Sequence, residues 1–465
     1  MPPPQARALN DVLRLFDSPQ LKVHQTIASV MSTPRKSAFN LQTCARPNIL
    51  ALEPYRCARD DYKDDGTNIL LDANENAYGP GLALTDRGTL ANGSSNGDSP
   101  NLEIDLLGLN RYPDPHQHEL KELLCNLRNT HTHTKKNLTP ENLFVGVGSD
   151  EAIDALLRAF CAPGKDKILT CPPTYGMYSV SAQVNDVEVV KVPLDTNNSF
   201  ALQPKLINEK LSADPSIKMV YICSPGNPTA NLIRKEDVQA VLEHPTWNGV
   251  VVLDEAYIDF APDGTSCAEW VAEWPNLVVM QTLSKAFGLA GIRLGAAFTS
   301  PEIATLLNSL KAPYNISNPT SQLAIAALQP KNLAVMRKHR ELILGQRERM
   351  LKEMPKIPGV GRFLGGAESN FLLVEMLDQP GGKPSNEIAL AVYERLAETR
   401  GVVVRFRGKE LGCFGCLRVT VGTEDEVTRF LKELKSVLED LYEGKASAGG
   451  KQEAARETDA NGIIA

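Results

Sequence analysis

Nowhere in the 465 residues is there an uninterrupted apolar run of the roughly eighteen residues that a membrane-crossing helix needs. A secretory signal, with its continuous apolar segment, is missing as well, so the expected location is the cytoplasm. The Arg and Lys of residues 1–45 leave a mitochondrial transit segment as the competing expectation. Positive charge is not in excess: 49 Lys and Arg stand against 56 Asp and Glu, a net charge of −7, which argues against a general grip on nucleic acid. The nine cysteines are odd in number and lack framework spacing, as in a reducing compartment. Cys413 and Cys416 form a single CxxC pair. His116 with His118, and His131 with His133, lack the carboxylate and third ligand of a metalloenzyme motif, so no metal is expected. Small molecules and a second copy of the chain remain as partners.

What is present is an alternation of short apolar runs with amphipathic segments. Runs at 143–147, 167–170, 187–192, 218–223, 250–254, 277–281 and 294–298 read as strands. Their hydrophobicity is continuous rather than alternating, as in Val250-Val251-Val252-Leu253, so both faces must be covered. The expected class is α/β, with a mostly parallel sheet between helices and a smaller α+β domain built from both chain ends. Residues 1–45 read as a disordered tail. Residues 46–105 form the N-terminal part of the small domain, with a Gly/Asn/Ser-rich insertion at 88–101. Residues 106–320 form the large domain and 321–442 the rest of the small one. The latter includes strands at 402–406 and 417–421 and a helix with Thr423 and Glu426 placed as a capping box. Residues 443–465 are too poor in apolar groups to offset ordering entropy and read as a second tail.

The polar residues that interrupt this pattern fall at strand ends, where ligands collect in such sheets. Lys285 has Thr282 and Ser284 before it, Gly288 and Gly291 after it and Arg293 eight positions on. That setting suits a Schiff base with a phosphate-bearing aldehyde, although a solvated surface lysine is the plainer reading of Lys285 by itself. Asp254 ends an apolar strand and is followed by Glu255, as in a Walker B string. No GxxxxGK followed by Ser or Thr accompanies it, and the nucleotide-hydrolase reading loses its support. Asp254 would instead keep a pyridine nitrogen protonated. Asn227, between Gly226 and Pro228, and Tyr257 would donate to the ring's phenolic oxygen and lower the basicity of the Schiff base. The amides of Ser149 and Asp150 open a helix and, with the Ser284 hydroxyl and Arg293, make a phosphate cup. Tyr175 could stack on the ring.

Five strings, GSDE at 148–151 (with its glycine), PTY at 173–175, NPT at 227–229, DEAY at 254–257 and SKAFGLAGIRLG at 284–295, occur in one order. Together they resemble the fold type I aminotransferases that use pyridoxal phosphate. Three more, LDANEN at 71–76, RYPD at 111–114 and CLRVTVGT at 416–423, are similar to the histidinol-phosphate aminotransferase family, over roughly residues 46–442. The resemblance implies transfer of an amino group between histidinol phosphate or imidazole-acetol phosphate and 2-oxoglutarate or glutamate, with Lys285 catalytic. It implies a homodimer in which Tyr112 reaches the cofactor phosphate of the neighbouring subunit. It also gives Arg418, assisted by Arg405, the substrate's anionic group, for which a planar fork of donors is suited. Another amino acid as substrate, an amino-acid-phosphate decarboxylase and a non-catalytic binding protein are the alternatives. Ala77 and Ala230 depart from the pattern, where proline and glycine are usual.

Overall fold

Residues 67–83 and 107–460 are described by the computed structural model. The first predicted tail and the insertion at 88–101 lie outside the described residues. All seven predicted runs of the large sheet are strands: β2 (Leu143–Val147), β3 (Lys167–Thr170), β4 (Glu188–Lys191), β5 (Ile217–Cys223), β6 (Val250–Asp254), β7 (Leu277–Thr282) and β8 (Leu294–Thr299), after a short β1 (Ile69–Leu70). Their order is β2-β8-β7-β6-β5-β3-β4. Strand β8 runs antiparallel to both of its neighbours, and the pairs from β7 to β4 are parallel.

Successive side chains of a strand point to opposite faces, so a strand covered on both sides has to be apolar throughout. In β6, Val250 and Val252 join one core cluster while Val251 and Leu253 join the other. The first cluster is roofed by α2 (Gly148–Phe160) and α3 (Met177–Val184), through Ile153, Leu156, Leu157 and Tyr178. Helix α1 (His118–Arg128), which precedes them in the chain, contributes Leu120 and Leu124 to the second.

The remaining strands are β9 (Val360–Leu364), β10 (Phe371–Met376), β11 (Val402–Val403), β12 (Arg405–Phe406) and β13 (Cys416–Thr420). A second, antiparallel sheet has the order β12-β13-β10-β9. The run predicted at 402–406 divides: β11 pairs in parallel with β1, and β12 turns to pair with β13. The N-terminal strand thereby joins the C-terminal α+β part, as expected of a domain drawn from both ends.

The last helix, α4 (Glu424–Ala460), opens with the predicted capping box. The Thr423 amide donates to Glu426 Oε2 at 2.7 Å and the Glu426 amide to Thr423 Oγ1 at 3.4 Å. Val427, Phe430, Leu434 and Leu438 are buried along one face. The helix extends to Ala460, beyond the predicted last element's end near 442. Residues 443–460 hold five Ala, three Glu and two Lys beside Gly444, Gly449 and Gly450, and extending a helix already nucleated by its packed first half adds one hydrogen bond per residue fixed. Residues 461–465 lie outside the described residues.

Candidate active site

The ends of β5 and β6, the turn after β7 and the start of α2 converge on a cavity of about 240 Å³. Ser149, Asp150, Tyr175, Asn227, Asp254, Tyr257, Ser284, Lys285 and Arg293 all line it, so nine of the predicted residues share one wall. Arg418, on β13, lies just behind: it is buried and donates from Nη1 to Asn227 Oδ1 at 2.8 Å. Arg405 is one strand further out and lines an adjoining cavity of about 310 Å³, which shares Tyr175 and Asn227 with the first. Tyr112 is the exception. It is 80% exposed, away from its own chain's cavity, and stacks on Tyr314 with ring centroids 4.5 Å apart.

Close backbone approach builds one end of the cavity. Gly148 has φ +70°, and a Cβ there would meet Arg293 Nη2 at 2.6 Å; a Cβ on Gly295 would meet the Ser149 amide nitrogen at 2.4 Å. Only glycine at both places lets the N-terminus of α2, β8 and the Arg293 guanidinium come together. The Thr282 and Ser284 hydroxyls, 2.8 Å apart, complete that end. Arg293 lies 3.5 Å from Asp150, and Tyr175 donates to the same carboxylate at 3.2 Å.

Asp254, which also lines the cavity, is 3% exposed. Its carboxylate accepts from the Tyr178 hydroxyl at 2.6 Å and from the Ala256 amide at 3.1 Å. Burial pushes it up to about 6, against the lowering effect of these two donors. Burial also brings Lys285 down to about 8, helped by the neighbouring Arg418 charge, which favours the free amine. The Lys285 ammonium donates to the Ala73 carbonyl at 3.1 Å. Asp72 and Asn74, on either side of Ala73, offer their carbonyls to Arg418 and to Asn370. Residues 72–74 are thus a strap whose successive carbonyls each hold a different element.

Tyr178 and Cys223 are neighbours of this chemistry outside the quoted strings, and Asn74 lies within LDANEN at 71–76, where the sequence assigns it no role. Tyr178 stands three positions after Tyr175, in the first turn of α3, and its nearness to the PTY string is the available signal. Asn74 donates to the Tyr257 hydroxyl at 2.9 Å across 183 residues of chain. The CxxC cysteines lie apart from the cavity; both are fully buried free thiols, and burial pushes Cys413 up to about 12.

Residues 67–434 match the family model for aminotransferase class I and II. The chain belongs to that family. Its relatives include a histidinol-phosphate aminotransferase of Schizosaccharomyces pombe, 53% identical over 88% of this chain and 100% of the relative. One of Saccharomyces cerevisiae is 47% identical over 86% and 98%. Among solved structures, histidinol-phosphate aminotransferase from Sinorhizobium meliloti in complex with pyridoxal-5′-phosphate superposes with a TM-score of 0.69 at 23% identity, over 87% of this chain and 99% of that one. The enzyme from Clostridium acetobutylicum gives 0.65 at 24% identity, over 80% and 99%. These two establish the fold type I architecture for this class I and II aminotransferase.

The cavity of this family member fits a pyridine ring that carries a phosphate. Amides, hydroxyls and a guanidinium face one end, and the two glycines leave the room a Cβ would fill. The same cavity is lined by a buried carboxylate with one donor on each oxygen, where a ring N–H would take a further lone pair. Asn227 presents its oxygen to Arg418, which leaves the Asn227 amide protons for the cavity.

Proposed function

We propose that this protein is a pyridoxal 5′-phosphate-dependent aminotransferase, acting between histidinol phosphate or imidazole-acetol phosphate and 2-oxoglutarate or glutamate. The observation that carries this reading is the convergence of Lys285, Asp254, Asn227 and Tyr257 on one cavity, in a chain 53% identical to a histidinol-phosphate aminotransferase over that relative's full length. Pyridoxal phosphate supplies an aldehyde for an amine and a ring that accepts the electron pair released at a substrate carbon.

The remaining work falls to the chain's own residues. Lys285, with its amine favoured by burial, takes the proton from the substrate carbon and returns it on the far side of the transfer. Asp254 keeps a proton at the ring nitrogen, and Asn227 and Tyr257 donate at the ring oxygen. Ser149, Asp150, Ser284 and Arg293 hold the phosphate, and Tyr175 lies against the ring. Arg418 and Arg405 take the anionic end of each alternating substrate, a carboxylate or a phosphate.

In this reading residues 106–320 are the cofactor-binding domain, and 321–442 with the N-terminal strap are the smaller domain. The active unit is a homodimer, in which Tyr112 completes the phosphate cup of the neighbouring subunit. Its support is the exposure of Tyr112, Leu109 and Tyr314 in the single chain. The working location is the cytoplasm, for which the free thiols of the described cysteines speak.

A half-reaction assay tests the substrate. Histidinol phosphate added to the protein loaded with pyridoxal phosphate should bleach its visible band and yield the pyridoxamine form, while phenylalanine and threonine phosphate should leave the band in place. Lys285→Ala should lose turnover by at least about 10³-fold, in line with the removal of a nucleophile that is also the base. A band that responds to phenylalanine and ignores histidinol phosphate would move the protein to another substrate class.

A further inference from the structure

We infer that Asn74 is a positioning residue that turns the Tyr257 hydroxyl proton into the cavity, and that Thr420 sets the sense of the Asn74 amide. The inference rests on the cofactor reading above and adds two residues to it. Thr420 Oγ1 accepts the Asn74 backbone N–H at 3.1 Å and donates its own proton to Asn74 Oδ1 at 2.9 Å. The side-chain oxygen of Asn74 is thereby fixed toward Thr420, and its amide nitrogen donates to the Tyr257 oxygen at 2.9 Å. A phenol oxygen that accepts there must send its own proton elsewhere. Among the described residues no protein acceptor takes that proton, and Tyr257 lines the cavity.

The surroundings hold this chain of bonds still. Asn74 and Thr420 are each 1% exposed, so neither amide nor hydroxyl can exchange its partner for solvent. Asn74 adopts φ +56°, a left-handed conformation that asparagine tolerates better than most residues. Asn370 Nδ2 donates to the Asn74 carbonyl at 3.1 Å and clamps the backbone on its other side. Thr420 stands two residues from Arg418 on β13, hence on the same face. One strand therefore orients both donors to the ring oxygen: Arg418 through Asn227, and Thr420 through Asn74 and Tyr257. Charged and titratable groups facing Tyr257 are Arg418, Lys285, Asp254 and Cys223, and burial raises the phenol to about 12, so its proton is present throughout the working range.

A donor at the ring oxygen stabilises its anionic form and lowers the pH at which the cofactor's visible absorption changes. The test is the pH midpoint of that absorption in the loaded protein. Tyr257→Phe should raise the midpoint by about one unit, and Asn74→Ala by about half a unit. The double variant should match Tyr257→Phe alone, because Asn74 acts only through that hydroxyl. Thr420→Val should move the midpoint as Asn74→Ala does, and Thr420→Ser, which keeps the hydroxyl, should restore it. An unchanged midpoint in Asn74→Ala, or an equal rise in the Tyr257→Phe background, overturns the relay and leaves the cofactor assignment standing. A wild-type protein that develops no visible band with pyridoxal phosphate overturns the assignment and the relay together.

Discussion

Asp254 lines the cavity with Tyr178 bonded to it, and its burial gives the protein an acid limit that the Tyr178 bond moves downward. The buried carboxylate loses its charge as pH falls through about 6, and with the charge goes its hold on a protonated ring nitrogen. Tyr178→Phe removes a donor that favours the ionised form. The acid limb of the pH–rate profile should then move up by about one to two units, as a charge-assisted hydrogen bond of roughly 1.5–3 kcal/mol would require. An unmoved limb in the variant would separate Tyr178 from the titration. Lys285, Asp254, Asn227 and Tyr257 were legible in sequence because each falls at, or within four residues after, the end of an apolar strand. The roles of Tyr178 and Asn74 were not, since their hydrogen bonds span 76 and 183 residues of chain, and the LDANEN string that holds Asn74 does not show its partner.

Among the elements, the large sheet was the most legible part of the fold. Strands buried on both faces carry unbroken apolar runs, and these are visible without knowledge of their partners. The division of 402–406 was hidden, because Val402 to Phe406 reads as one β-prone run while β1, 333 positions earlier in the chain (402 − 69), decides where the first part pairs. The far end of α4 has no stop signal of its own in sequence, since Gly444, Gly449 and Gly450 stand among good helix formers. The start of α4 depends on its capping box more than on its length. Thr423→Ala should lower the unfolding free energy by about 1 kcal/mol, read as a shift of the urea midpoint at constant slope. A shift below about 0.3 kcal/mol would mean that packing of Val427 and Phe430 alone fixes the helix.

At the scale of the whole molecule, the proposed homodimer makes a prediction that a monomer cannot meet. Tyr112→Ala and Lys285→Ala chains, each impaired alone, should regain about a quarter of wild-type activity when unfolded together and refolded as a mixture, since half of the dimers are hybrids with one intact site. No recovery would keep Tyr112 out of the neighbouring cavity. The strap at 72–74 ties this assembly to the order of synthesis. Its contacts with β13 close across 346 residues, and β13 is the last strand to be made. Until β13 is made, the strap lacks its Thr420 and Arg418 anchors, so this side of the Lys285 cavity takes its final form only when the chain is almost finished.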